Sequence, residues 1–192
     1  MKLVRSALVV AAAAVALAPT AAQAATYRHS DAPGDVTSYT TATDTGTPAP
    51  DRVEGDVAWN KVRHGSRVVT LTMGYRELTT VDEKLHAYAI HTSKMTRYVY
   101  VLAGAGHWAG KVRMTNAHDK PVRCHVTRRI DYTANTATVR IPRSCLGTPR
   151  WVKAAMFVAS FPSPTVQFPM YVDDAGSNGT FQSPRWSPRV YR

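Results

Sequence analysis

The chain has 192 residues, 44% hydrophobic and 19% charged, with a formal charge of +11. That length suits one domain, and the ordinary apolar fraction excludes a disordered or collagen-like chain. Two cysteines are too few for a disulfide scaffold, so the fold must rest on one hydrophobic core.

The N-terminus carries Lys2 and Arg5, an apolar run from Ala7 to Ala18, and then Ala22-Gln23-Ala24. These are the three regions of a secretory signal peptide, with cleavage expected after Ala24. The run falls short of the roughly 20 apolar residues that span a bilayer, and no later stretch reaches that length. The expected mature chain is an extracellular protein of 168 residues with a charge of +9. Residues 25–50 are rich in Ala, Thr, Ser, Pro, Gly and Asp and read as an irregular N-terminal arm.

From Asp56 onward the pattern has period two. Val57, Trp59 and Lys61 alternate with Ala58, Asn60 and Val62, and His64-Gly65-Ser66 makes a turn. Arg67–Arg76 puts Val69, Leu71, Met73 and Tyr75 on one face and Thr70, Thr72 and Arg76 on the other, as a half-buried antiparallel strand does. Further strands are expected at Leu85–Thr92, Arg97–Ala103, Gly110–Met114, Val122–Arg128, Thr136–Ile141 and Trp151–Phe161, with one helical turn at Pro142–Gly147. The last strand is apolar on both faces apart from Lys153, which places it centrally. Val166–Val172 adds a strand. No window sustains helical spacing. The expectation is an all-β, antiparallel, jelly-roll-like sandwich over residues 51–175, with an extended tail at 176–192.

Export to an oxidising exterior favours a bridge between Cys124 and Cys145. Around them lies most of the charge: ten basic residues from Lys111 to Lys153 face only Asp119 and Asp131. Within that segment Arg123, Arg128, Arg129, Arg140, Arg143 and Arg150 are candidate contacts for an anionic partner. Trp108, in the glycine-rich loop 104–110, is a candidate for stacking on a sugar or anchoring a protein. Nucleic-acid motifs and a stacking series of aromatics are missing, which argues against sequence-specific nucleic-acid binding.

Asp31 and Asp35 flank a Pro-Gly turn, Asp56 follows Gly55, and Asp173 lies near the end of the chain. A sandwich that joins its first and last strands would bring such carboxylates together as a structural Ca²⁺ site, since Ca²⁺ takes about six to eight oxygens. Asp at the start of a turn is also ordinary turn chemistry. The seven histidines show no zinc-protease pattern, and no nucleophile elbow occurs. Dispersed carboxylates of a wall-directed glycan hydrolase remain open, because such pairs meet only in space.

The stretch Val139–Val152 resembles a recurring segment of small exported proteins of high-GC Gram-positive bacteria. The Asp-x-x-Gly-Asp lead-in, Val62-Arg63-His64, Tyr171-Val172-Asp173-Asp174-Ala175 and Ser187-Pro188-Arg189-Val190 are similar too. The resemblance implies a fold like that of family-9-type carbohydrate-binding and DOMON-like jelly rolls, with no ligand and no residue role carried over. The functional expectation is a secreted, non-enzymatic module for an extracellular anionic or glycan surface. The hydrolase, or an interaction protein presenting the Trp108 loop, is the alternative.

Overall fold

The computed structural model describes residues 24–43, 45–162, 168–177, 179, 181 and 183–192. The expected signal peptide lies outside the described residues apart from Ala24, as do Val166 and Gln167 of the expected late strand. Thirteen strands form among the described residues: β1 (Ala25–Ser30), β2 (Thr37–Tyr39), β3 (Thr47–Pro48), β4 (Val57–His64), β5 (Val68–Tyr75), β6 (Glu83–His91), β7 (Thr96–Ala103), β8 (Lys111–Asn116), β9 (Thr127–Asp131), β10 (Thr136–Pro142), β11 (Trp151–Phe161), β12 (Met170–Asp174) and β13 (Val190–Tyr191). A single 3₁₀ turn, Arg143–Leu146, follows β10 and ends at Gly147 in the left-handed region.

Two antiparallel sheets pack as a β-sandwich. The smaller has the order β1-β4-β5-β10-β9 and the larger β3-β2-β12-β11-β6-β7-β8, with β13 pairing β11. Between them lie Val62, Val69, Leu71, Met73, Val139 and Ile141 from the small sheet and Tyr88, Ile90, Val99, Val101, Met156 and Val158 from the large one. The period-two faces follow from the pleat: β5 buries the odd positions 69–75 and turns the threonines outward. Tyr88 spans the core and donates its hydroxyl to the Ala137 carbonyl, 3.1 Å away, tying β6 to β10.

Three expectations need correction. Residues 25–50 are not an irregular arm. Ala25–Ser30 pairs with β4 over six residues, and Thr37–Tyr39 pairs with β12, so the segment contributes to both sheets. The domain is therefore wider than 51–175, because the tail also returns as β13 against Trp151 and Val152. Residues 122–126 are not a strand. Pro121 bridges Thr115 and offers no N–H, while Cys124 turns inward to meet Cys145, so pairing with β10 begins only at Thr127.

The core also holds His86, fully buried, its Nδ1 2.7 Å from the Tyr75 hydroxyl and its Nε2 without a partner. Burial, reinforced by the nearby Lys84 charge, lowers its pKa to about 3. The unfolded chain binds this proton near pH 6.5 and the folded chain does not, so the histidine subtracts stability as pH falls below 6.5. Relative to a His86→Leu variant, the wild type should lose about 2 kcal/mol between pH 7.5 and pH 5. Urea unfolding of both proteins at the two pH values checks this, and a constant difference between them would refute it.

Candidate functional site

The first candidate site is the outward face of the small sheet. Register places Thr26, Arg28 and Ser30 beside Arg63, Lys61 and Trp59, and these beside Thr70, Thr72 and Gly74. Thr136, Thr138 and Arg140 follow on β10, then Asp131, Arg129 and Thr127 on β9. Five basic groups thus share one flat face with one acid, and that acid, Asp131, is already paired with Arg129 at 2.7 Å. Among the described residues Lys61, Arg63 and Arg140 have no ion-pair partner. Arg28 lies 4.4 Å over the Trp59 ring. That ring rests across Gly74, where a Cβ would meet it at 2.1 Å, so glycine is what lets the indole lie flat on the sheet.

At one end of this face the Gly65-Ser66 turn adds Arg67. Arg63, Arg67, Arg140 and Thr70 then line a shallow pocket of about 260 Å³ with no acidic residue in its wall. The pleat puts Arg28 and Lys61 about 4.8 Å apart across strands and Lys61 and Arg63 about 6.8 Å apart along β4, with the threonines of β5 between them and Arg140 and Arg129.

The six candidate arginines and Trp108 do not form one site. Arg140 and Arg129 lie on the basic face. Arg123, Arg128 and Arg150 are exposed elsewhere, and Arg128 donates Nε–H to the Gly110 carbonyl at 2.9 Å. Arg143 is a correction: it is 9% exposed and donates to Ser66 O at 2.8 Å, Pro149 O at 2.5 Å and His64 Nε2 at 3.2 Å. It ties the turn at residues 64–66 to Pro149 and has all three nitrogens engaged within the protein. Trp108 is half-buried, edge-on to Tyr132 with centroids 6.4 Å apart, and its carbonyl accepts the Tyr132 hydroxyl. Its ring closes a loop rather than projecting from one.

Lys111 and Arg113 stand on the opposite side of the molecule. They flank Leu85, Tyr100 and Leu102 on the outer face of the large sheet. Beside them Tyr98 and Tyr100 stack at 6.3 Å over Ala87 and Ala89. Arg28, Lys61, Arg63 and Arg67 were missed as site residues. The i, i+2 spacing of Lys61 and Arg63 was the available signal, but Arg28 joins them only because β1 is a strand.

The second candidate site is a carboxylate cluster at one end of the sandwich. A bulge in β4 leaves Ala58 outside the β5 register, and its carbonyl accepts the Asp31 N–H at 2.9 Å. Gly34, at φ 77°, turns its N–H onto Asp56 Oδ2 at 2.8 Å, which carries Asp35 back toward Asp31. Asp173 reaches across from the large sheet and accepts the Val57 N–H at 2.6 Å. The result is one carboxylate oxygen each from Asp31, Asp35 and Asp173 within 4.8 Å of one another.

Asp56 is fully buried and paired with Arg76 at 2.8 Å. Asp174, alongside, is satisfied by the N–H groups of Gly176 and Ser177 and by the Ser177 hydroxyl. Burial, then the charges of Asp173, Asp35 and Asp174, pushes Asp31 up to about 9. Burial pushes Asp173 up to about 8, against the pull of the Val57 N–H, with Asp35, Asp56 and Asp174 adding to the rise. Of the four aspartates expected to meet across the first and last strands, Asp31, Asp35 and Asp173 come together, while Asp56 lies beside them and pairs with Arg76. They sit at one end of the sandwich, Asp31 and Asp173 buried and Asp35 half-buried.

No family model matches the chain, and no curated protein or solved structure is significantly similar to it. No helix among the described residues is long and apolar enough to cross a membrane.

Proposed function

We infer that the protein is a secreted, non-enzymatic binding module for an anionic polymer at a cell surface, with the outer face of the small sheet as its contact. The observation that supports this reading most is the pocket of Arg63, Arg67 and Arg140, three guanidinium groups brought together with no carboxylate among them. Self-repulsion among such groups costs folding free energy, and a bound polyanion relieves it. Arginine suits phosphate and carboxylate oxygens because its planar fork donates two parallel hydrogen bonds. The interleaved threonines add hydroxyls between the charges, Thr72 and Thr138 lying 3.0 Å apart. Several cations spread over one sheet face favour a polymer whose charge repeats, such as a polyol phosphate or an acidic polysaccharide, over a single small anion.

Co-sedimentation with insoluble wall polymer tests the reading. The protein should pellet with an anionic polymer at low ionic strength and be released by about 0.5 M salt, where screening lengths fall well below those of dilute buffer. A neutral glycan should not retain it. Retention that ignores salt, or equal retention by the neutral glycan, would overturn the electrostatic reading.

A further inference from the structure

We propose that Asp31, Asp35 and Asp173 bind one Ca²⁺ ion, which clamps the first strand of the small sheet to β12 of the large one. This site is separate from the basic face and does not depend on it.

The convergence of three acids is only the first observation. The second is Asp31 itself. It is 9% exposed, and neither of its carboxylate oxygens is accessible or has a hydrogen-bond partner. One of those oxygens is directed at the Asp35 and Asp173 oxygens, within 4.8 Å of both. Burying a carboxyl group without a partner is unfavourable, and native structures leave such groups unsatisfied only where an ion, a water or a role in chemistry accounts for them. Asp35 Oδ1 and Asp56 Oδ1 are likewise buried and unpartnered. The one cation in contact with the group, Arg76, is on Asp56, so nothing among the described residues neutralises Asp31, Asp35 or Asp173.

The donors identify the ion. All three are carboxylate oxygens, which selects a hard cation over zinc or copper. Two oxygens bound at about 2.4 Å to one Ca²⁺ are at most about 4.8 Å apart, so the observed span fits one coordination sphere. Mg²⁺ dehydrates reluctantly and keeps several waters, which a pocket closed around Asp31 does not favour. The ligands come from the end of β1, the Pro33-Gly34 turn and β12, segments some 140 residues apart in sequence. A bound ion would therefore hold together the two ends of the chain.

The test uses the purified mature chain, stripped with chelator and exchanged into metal-free buffer. Equilibrium dialysis should find one Ca²⁺ per chain. Addition of Ca²⁺ to about 100 times its Kd should raise Tm by about 5–10 °C. Asp31→Asn should abolish that rise while leaving the metal-free Tm unchanged or higher, because it replaces an unpartnered buried carboxyl with a neutral group of the same shape. An Asp51→Asn variant, altered at an exposed acid outside the cluster, should respond as wild type. Three results would each overturn the proposal: no change in Tm with Ca²⁺, an Asp31→Asn protein that still gains stability from Ca²⁺, or a metal-free Asp31→Asn protein markedly less stable than wild type. An equal response to Mg²⁺ would overturn the choice of ion.

Discussion

Arg143→Ala should cost about 3 kcal/mol of unfolding free energy, a large loss for one substitution. The guanidinium donates to two carbonyls and an imidazole, two of them on the turn at residues 64–66 and one at Pro149. Hydrogen bonds to a charged group are worth about 1.5–3 kcal/mol each, and truncation leaves the acceptors buried and unmet. The loss extends beyond those bonds. His64 donates Nδ1–H to the Val190 carbonyl at 3.0 Å, which leaves Nε2 free to accept from Arg143. Arg143 therefore fixes the neutral tautomer that holds β13 in place, and burial followed by the Arg143 and Arg192 charges lowers the pKa of His64, consistent with that role. Arg143→Lys should recover less than half of the loss, because one ammonium cannot reach three diverging acceptors. Urea unfolding measures both variants, and a loss below about 1 kcal/mol for alanine would show the contacts to be incidental.

The paired substitution Cys124→Ser, Cys145→Ser should cost roughly 3 kcal/mol in the chain-entropy model. The two sulfurs lie at bonding distance, with Cα atoms 6.0 Å apart and 21 positions between them in sequence. The closed loop contains β9 and β10, so the bridge limits the unfolded freedom of a hairpin whose outer strand, β9, is an edge of the small sheet. It also anchors the irregular segment 122–126 to the 3₁₀ turn that Arg143 begins. Thermal unfolding with and without reductant should give the same difference for the wild type and none for the double variant. Peptide mapping under non-reducing conditions should recover residues 124 and 145 linked. Free thiols there would refute the bridge.

Much of the sandwich is legible in the sequence because its long strands are half-buried. The alternation of Val69, Leu71, Met73 and Tyr75 reports one buried face directly, and the run at Trp151–Phe161, apolar on both faces apart from Lys153, marks a strand with neighbours on both sides. The N-terminal strand was less visible. Its inward side chains are Ala25, Tyr27 and His29, only partly buried, so Ala-Thr-Tyr-Arg-His-Ser lacks the apolar contrast that marks β5. Its role as a strand comes from pairing with β4, a long-range contact that no local window carries. The carboxylate cluster was readable as acids flanking turns in the first and last segments, but the bulge at Ala58 that aims Asp31 was not. Arg143 misled for a simple reason. In sequence it is one more basic residue near the cysteines, and only the turn after Pro142 directs it inward.

The same limit explains the shift in the basic surface. Reading charge along the chain gathered Lys111 through Lys153 into one block, while folding divides that block between opposite faces. Antiparallel pairing then gives the small sheet three cations from outside the block, Arg28, Lys61 and Arg63, and the adjoining turn adds Arg67. Charge density on a sheet depends on register, and register is not a local property.

Two variants with equal net charge test this account most directly. One replaces Arg63, Arg67 and Arg140 with glutamine on the small sheet. The other replaces Lys111, Arg113 and Lys120 with glutamine, removing three charges from β8 and the turn that follows it. Both are applied to a polyphosphate matrix and eluted with a salt gradient. The arginine variant should elute at no more than half the salt concentration that releases the wild type, with the lysine-containing variant close to wild type. Equal drops for the two variants would mean that total charge alone governs retention, and would contradict an anion-binding face on the small sheet.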